Sequence, residues 1–195
     1  MLTLYFVRHG QTDYNLKSIV QGGGIDSDLN ATGREQAEAF YQAYQHLHFD
    51  HLYVSTLKRT HQTMAPWIER KEYQAIQDAG LKEFGWGVHE GRKPTAEHRA
   101  EFQRTIQSWM NGDVHATVEA GETLQEAWGR AEPLMKSLPE KHMGQKLLLC
   151  SHGRQLRILL CNLLQVDLRE MERFKHDNTG LTIVHWHPNG QRELV

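Results

Sequence analysis

Three short stretches of this 195-residue chain carry residue types that can move a phosphoryl group. Arg8-His9-Gly10 and Ser151-His152-Gly153 each couple an imidazole to a glycine, and Ser55 is followed four positions later by Arg59. Two imidazoles and two guanidiniums in one place repel one another unless an anion sits among them. Phosphate suits that role, because arginine forks match its oxygens bidentately and backbone N–H groups at helix starts add donors. A neutral imidazole is a nucleophile towards phosphorus, and Gly10 allows a close backbone approach, so His9 is the candidate nucleophile. A departing oxygen needs a proton. Glu83, within the loop-like Leu81-Lys82-Glu83-Phe84-Gly85-Trp86-Gly87, is the candidate acid.

The elements around these stretches bring them to one place. Residues 2–7 form an apolar, β-branched and aromatic run that reads as a strand buried on both faces, and it runs into Arg8-His9. Lys146–Cys150 reads as the clearest buried strand and runs into Ser151-His152, with an apolar helix over Gln155–Leu164 behind it. A strand at 51–55 ends at Ser55, with a helix from Leu57 that Pro66 is expected to kink or shorten. Thr32 and Glu35 have capping-box spacing before Ala37, Phe40, Tyr41, Tyr44 and Leu47, which recur at helical intervals. Tyr73–Gln77 is a weak strand, 94–110 and 122–138 read as helices with a break expected near Pro133, and 181–186 and 191–195 are strands around His187-Pro188-Asn189-Gly190. Strands alternating with helices predict an α/β, three-layer sandwich: a mostly parallel central sheet flanked by helices. In such sheets ligands gather beyond the carboxyl ends of the strands, where both His-Gly pairs are predicted to lie.

Composition narrows the function. With 22 Lys+Arg against 24 Asp+Glu and a net charge of −2, a broadly basic nucleic-acid surface is not expected, although a local basic pocket fits. The length suits one domain spanning 1–195. Cys150 and Cys161 cannot make a disulfide framework, which points to a reducing compartment. The start lacks a basic leader pattern, and no apolar run approaches the roughly 18 residues of a membrane helix. A cytoplasmic protein without nucleic-acid or membrane partners is the expectation. Thirteen histidines raise a metal reading through His46, His48 and His51 or His185 and His187, but neither set has carboxylate or cysteine partners at familiar spacing, so no metal is expected.

The motifs, taken in order, resemble the histidine phosphatase (phosphoglycerate mutase-like) superfamily. Arg8, His9, Gly10, Thr12 and Asn15 match its Arg-His-Gly-x-Thr-x-x-Asn signature. Gln21, Gly22, Asp26, Leu29, Gly33, Gln36 and Ala37 match its next stretch, and Ser55, Leu57, Arg59, Gln62 and Thr63 the following motif. Glu83, Glu90 and Gly91 match the acid loop, Gly121-Glu122-Thr123 resembles its Gly-Glu-Ser/Thr, and Ser151-His152-Gly153 its second histidine motif. The resemblance runs from residue 2 to about 182, and this series of ordered motifs is far more specific than one His-Gly pair.

The resemblance implies that His9 is phosphorylated in turn, with Arg8, Arg59 and His152 holding phosphoryl oxygens and Asn15, Gln21 and Gly22 lining the phosphate and leaving-group side. Glu83 would protonate the leaving alcohol and then deprotonate water. No cofactor or metal is implied, since arginines supply the charge. Glu122 is balanced between a site role and a favourable first-turn charge. His89 and Tyr14 stand where relatives carry Trp, which bears on the substrate, and His89 is expected to shape the leaving-group pocket. The implied partner is a small phosphorylated metabolite: a sugar phosphate, phosphoglycerate, nucleotide or cobalamin-pathway riboside phosphate. The segment 94–120 is expected to cap the site. Two other activities fit the resemblance, a cofactor-dependent phosphoglycerate mutase and a non-catalytic phosphoryl-binding regulator. Glu83 and Glu122 are 39 positions apart with no Arg-Arg pair between them, which favours hydrolysis over the longer mutases.

Overall fold

The computed structural model describes residues 1–195. Six strands, β1 (Leu2–Arg8), β2 (His51–Val54), β3 (Ala75–Gln77), β4 (Lys146–Ser151), β5 (Leu181–Trp186) and β6 (Arg192–Leu194), form one sheet in the order β3-β2-β4-β1-β5-β6. The first four run parallel, while β5 and β6 are antiparallel additions at one edge. The helices are α1 (Asp13–Leu16), α2 (Ala31–Tyr44), α3 (Lys58–Lys71), α4 (Ala96–Met110), α5 (Leu124–His142) and α6 (Gly153–Leu164).

Alternation along the central strands makes the layers. Leu2, Leu4 and Phe6 of β1, with Leu147 and Leu149 of β4, face α5 and α6 through Leu134, Met135, Leu138, Leu156, Leu159 and Leu160. Val7, Leu148 and Cys150 point the other way, onto Phe40 and Tyr41 of α2 and Met64 and Trp67 of α3. Burying each such side chain contributes about 1.5–3 kcal/mol, so both faces of β1 and β4 are anchored. A third apolar group, with Phe84, Trp86 and Trp109, seats α4 against α6 beside the carboxyl end of the sheet. This is the expected α/β sandwich, and α4 lies within the segment expected to form a cap.

Register brings the two His-Gly pairs together. Val7 pairs with Cys150 and Arg8 with Ser151, so His9 and His152 leave the sheet side by side. Val54 also pairs with Cys150, which sets Ser55 level with them.

Three local expectations need correction. The cap of α2 is Asn30, whose side chain accepts from Gly33 N; Thr32 lies inside the first turn, where its hydroxyl does not serve as cap. Helix α3 runs through Pro66 to Lys71, and α5 runs through Pro133 and Pro139 to His142. Each proline removes one amide donor, but the apolar stripes on either side, Met64 and Trp67 in α3 and Ala131 and Leu134 in α5, hold the helices to the sheet. No helix is long and apolar enough to cross a membrane.

Candidate active site

His9 follows β1 and is clamped on all sides of its backbone. Its N–H donates to Ser151 O at 3.0 Å, its carbonyl accepts from Asn178 Nδ2 at 2.9 Å, and the next amide, Gly10 N, donates to Thr63 Oγ1 at 2.9 Å. Gly10 is required there: a Cβ would lie 2.6 Å from Gly33 O, and a Cβ on Gly33 only 2.0 Å from Gln11 O. The two glycines let the His9 loop lie directly on the first turn of α2.

The ring of His9 is buried, with Nδ1 2.7 Å from its neighbour's carbonyl, Gly10 O. A carbonyl only accepts, so Nδ1 carries the hydrogen and Nε2 keeps its lone pair. Burial, followed by the charges of Arg59 and Arg8, holds the pKa of this imidazole well below its ordinary 6.5. The ring is neutral and nucleophilic at Nε2 around neutral pH.

His152 sits beside it, ring centroids 5.0 Å apart, and is fully enclosed. Its Nδ1 accepts from Arg59 Nε at 3.2 Å, which leaves Nε2–H to donate to Ser55 Oγ at 2.8 Å. Burial first, then Arg59, His9, Arg130 and Arg8, press its pKa well down. Arg59 is also fully enclosed, and burial lowers its pKa to about 10, so it stays charged. Its guanidinium donates to Ile25 O at 2.6 Å and Gly22 O at 3.5 Å. Gln21, with its amide oxygen towards Arg59, accepts from Nη1 at 3.0 Å and Nε at 3.1 Å while donating to Thr12 Oγ1.

Beyond His9 opens a cleft of about 230 Å³. Among the residues expected at the site, Arg8, His9, Asn15, Gln21 and Glu83 line it. Asn15 Oδ1 is held by Thr12 N at 3.0 Å and Thr12 Oγ1 at 3.1 Å, so its amide N–H groups are what it offers the cleft. Arg8 donates through Nη1 to His176 O at 2.7 Å, and its buried Nε–H has no partner.

Glu83 is buried between two elements. Oε1 accepts from Phe84 N at 2.9 Å and Gln155 N at 3.0 Å, and Oε2 faces Arg154 N at 3.4 Å, so the carboxylate rests on the first turn of α6. Its loop is secured by Arg130, which reaches the Glu83 carbonyl at 3.2 Å, Gln155 Oε1 at 2.9 Å and Glu122 Oε1 at 2.7 Å. Glu122 also accepts from Gly85 N at 3.1 Å. Glu122 precedes Thr123, the cap of α5, so it lies outside the helix's first turn, and its contacts with Arg130 and Gly85 brace the Glu83 loop.

Four residues expected at the phosphate or leaving group do not line this cleft. Arg59 and His152 are fully buried, and their nitrogens engage protein acceptors or donors. Gly22 is packed against the acid loop: a Cβ there would meet Glu90 Oε1 at 1.9 Å, and the following glycine amide, Gly23 N, donates to Phe84 O. His89 lines an adjoining cleft of about 290 Å³ that shares Val20 and Phe102 with the first. Its Nε2 is 2.9 Å from Glu101 Oε2, off the line of a hydrogen bond, and its ring meets His98 edge-on at 5.1 Å.

Other residues on the cleft wall escaped sequence reasoning: Arg154, Arg157 and His176. The signal for the first two was their position, one and four residues beyond Gly153 at the start of a helix that follows a central strand. His176 carried none. No group of three or more His, Cys, Asp or Glu side chains is arranged to hold a metal ion.

The chain is similar to known proteins along nearly its whole length. The family model of the histidine phosphatase superfamily (branch 1) matches residues 4–195. Phosphoserine phosphatase 1 of Hydrogenobacter thermophilus is 28% identical over 185 residues, covering 95% of this chain and 87% of that protein. A Yersinia enterocolitica protein named "Probable phosphoglycerate mutase GpmB" is 32% identical over 184 residues, 94% of this chain and 85% of its own. Among solved structures, one described as mycobacterial hydrolase 1 superposes with a TM-score of 0.87 at 25% identity, covering 99% of this chain and 96% of that one.

Proposed function

The chain belongs to the histidine phosphatase superfamily, and on that premise we propose that it is a phosphatase that hydrolyses a small phosphomonoester through a phosphohistidine on His9. The observation that carries the reading is the His9 tautomer: Nδ1–H on Gly10 O at 2.7 Å leaves Nε2 unprotonated beside a cleft walled by Arg8, Asn15 and Glu83. In the first step Nε2 forms a bond to phosphorus while the ester oxygen departs in line, taking a proton from Glu83. Arg8 meets the phosphoryl oxygens from the cleft wall, and Asn15 and Gln21 add amide donors. Arg59 and His152 act beside the imidazole, Arg59 as fixed positive charge and His152 as its anchor. In the second step Glu83, now ionised, takes a proton from water, whose oxygen bonds to phosphorus as the P–N bond breaks, releasing inorganic phosphate and restoring neutral His9. Arginines supply the positive charge these steps require, and no cofactor enters them.

The acid role is tested by Glu83→Gln across a leaving-group series. The variant should lose about 10²–10⁴-fold in kcat/KM, which reports transfer to His9 and not the later hydrolysis, on an alkyl phosphate and much less on p-nitrophenyl phosphate, whose leaving group needs no proton. Equal losses on both esters refute Glu83 as the acid.

A further inference from the structure

A carboxyl that gives up a proton and later takes one back must stay in one place, and the residues that fix Glu83 lie outside the cleft. Phe84 and Trp86 pack the following part of its loop into the apolar group beside α4. On the other side a groove of about 570 Å³ opens against Glu83, Gly85, Glu122 and Arg130. Open space rather than packed side chains backs the loop there, so polar ties carry the placement of Glu83.

Those ties converge on two residues. Arg130 of α5 donates to Ala79 O at 3.0 Å, Glu83 O at 3.2 Å and Gln155 Oε1 at 2.9 Å, while Glu122 Oε1 at 2.7 Å fixes the plane of its guanidinium. Gln155, fully enclosed on α6, accepts from Arg130 and donates through Nε2 to Gly80 O at 2.9 Å. Its main-chain amide donates to Glu83 Oε1 at 3.0 Å. One residue thus grips the loop with its side chain and the carboxyl with its backbone. The loop and the first turn of α6 cannot slide past each other without leaving a buried amide unpaired, which costs more than the bond itself.

The same bonds distinguish the two carboxyl oxygens. Oε1 accepts from Phe84 N at 2.9 Å and Gln155 N at 3.0 Å, which occupies both of its lone pairs. Oε2 faces Arg154 N alone, at 3.4 Å, and keeps a lone pair for a proton. We infer that Arg130 and Gln155 are the positioning residues of the acid, holding Glu83 so that Oε2 gives the proton to the leaving oxygen and later takes one from water. This rests on the phosphatase reading above and adds two residues and one atom to it.

The test is a set of double-mutant cycles on kcat/KM, read with an alkyl phosphate and with p-nitrophenyl phosphate. Gln155→Met keeps the length of the side chain and removes both amide contacts; Arg130→Lys keeps the charge beside Glu122 and removes the fork. Each should lose about ten- to a hundredfold on the alkyl ester and less than about threefold on p-nitrophenyl phosphate, because a misplaced acid harms only the ester whose leaving oxygen needs its proton. In a Glu83→Gln background neither should lower the alkyl rate further, since the group they place has no acidic proton to give. Equal losses on the two esters overturn the inference, as a merely structural tie would give them. Undiminished alkyl turnover, or a loss that multiplies with that of Glu83→Gln, overturns it as well. In all three cases a Glu83→Gln variant that is impaired selectively on the alkyl ester leaves the phosphatase reading standing. Equal impairment of Glu83→Gln on both esters defeats the acid role and this inference together. The two substitutions lie on different helices, so either one decides the matter if the other does not fold.

Discussion

An imidazole attacks phosphorus only through an unprotonated nitrogen, and three hydrogen bonds decide which nitrogens are free here. Gly10 O fixes His9 as the Nδ1–H tautomer, and Arg59 Nε with Ser55 Oγ fixes His152 as the Nε2–H tautomer. Ser55 is therefore structural to the site: Ser55→Ala would leave a buried N–H without an acceptor and should cost about 1–3 kcal/mol, read as a lower urea midpoint. An unchanged midpoint would contradict this pairing. At this scale the sequence was most informative for His9, Arg8 and Glu83, because each sits in a short motif beside a strand end. It was least informative for Arg157 and His176. Arg157 is embedded in the apolar run of α6 and reads as a solvated face, while His176 reaches the cleft from a segment with no periodicity. Which atoms line an opening depends on side-chain direction, so Arg59 and His152 could be assigned to the site but not to its wall.

At the scale of elements, the site is an outcome of register. The pairing of Arg8 with Ser151 aligns two strands whose next residues are the two histidines. Strand runs were legible because β1 and β4 are apolar on both faces. Helix ends were less so, since Asn30 and Thr32 both offer capping side chains and only the Gly33 amide geometry chooses between them. The prolines misled for a similar reason: local propensity argued for breaks, and tertiary burial overrode it. The glycine contact between the His9 loop and α2 makes a sharp prediction. Gly33→Ala drives a Cβ to within 2.0 Å of backbone at Gln11, so it should destabilise by about 1–3 kcal/mol and lower kcat by shifting His9. The check is denaturation and steady-state kinetics on the same preparation. A variant of native stability and activity would show that the contact relaxes freely.

Across the whole molecule, the near-neutral net charge conceals a concentrated positive region, in which Arg8, Arg59, Arg154 and Arg157 surround buried imidazoles. That arrangement links folding to pH. His9 and His152 are pressed well below 6.5, and His176 to about 4, by burial and neighbouring arginines. Once unfolded, the same imidazoles take protons near 6.5, so below that pH the unfolded chain binds more protons and stability falls with falling pH. Each such histidine removes up to about 1.4 kcal/mol per pH unit between 6.5 and its folded value. The urea midpoint should therefore drop clearly from pH 7 to pH 5, and a midpoint that holds or rises would show that these rings are charged in the fold.

The central claim is a covalent one, and rapid-quench trapping tests it most directly. With a ³²P-labelled phosphomonoester, the native protein should carry label that is stable in base, labile in acid and located on the peptide containing His9, and His9→Ala should carry none and lose at least about a thousandfold in kcat. Rapid turnover with no label on His9, or undiminished turnover by His9→Ala, would contradict the account.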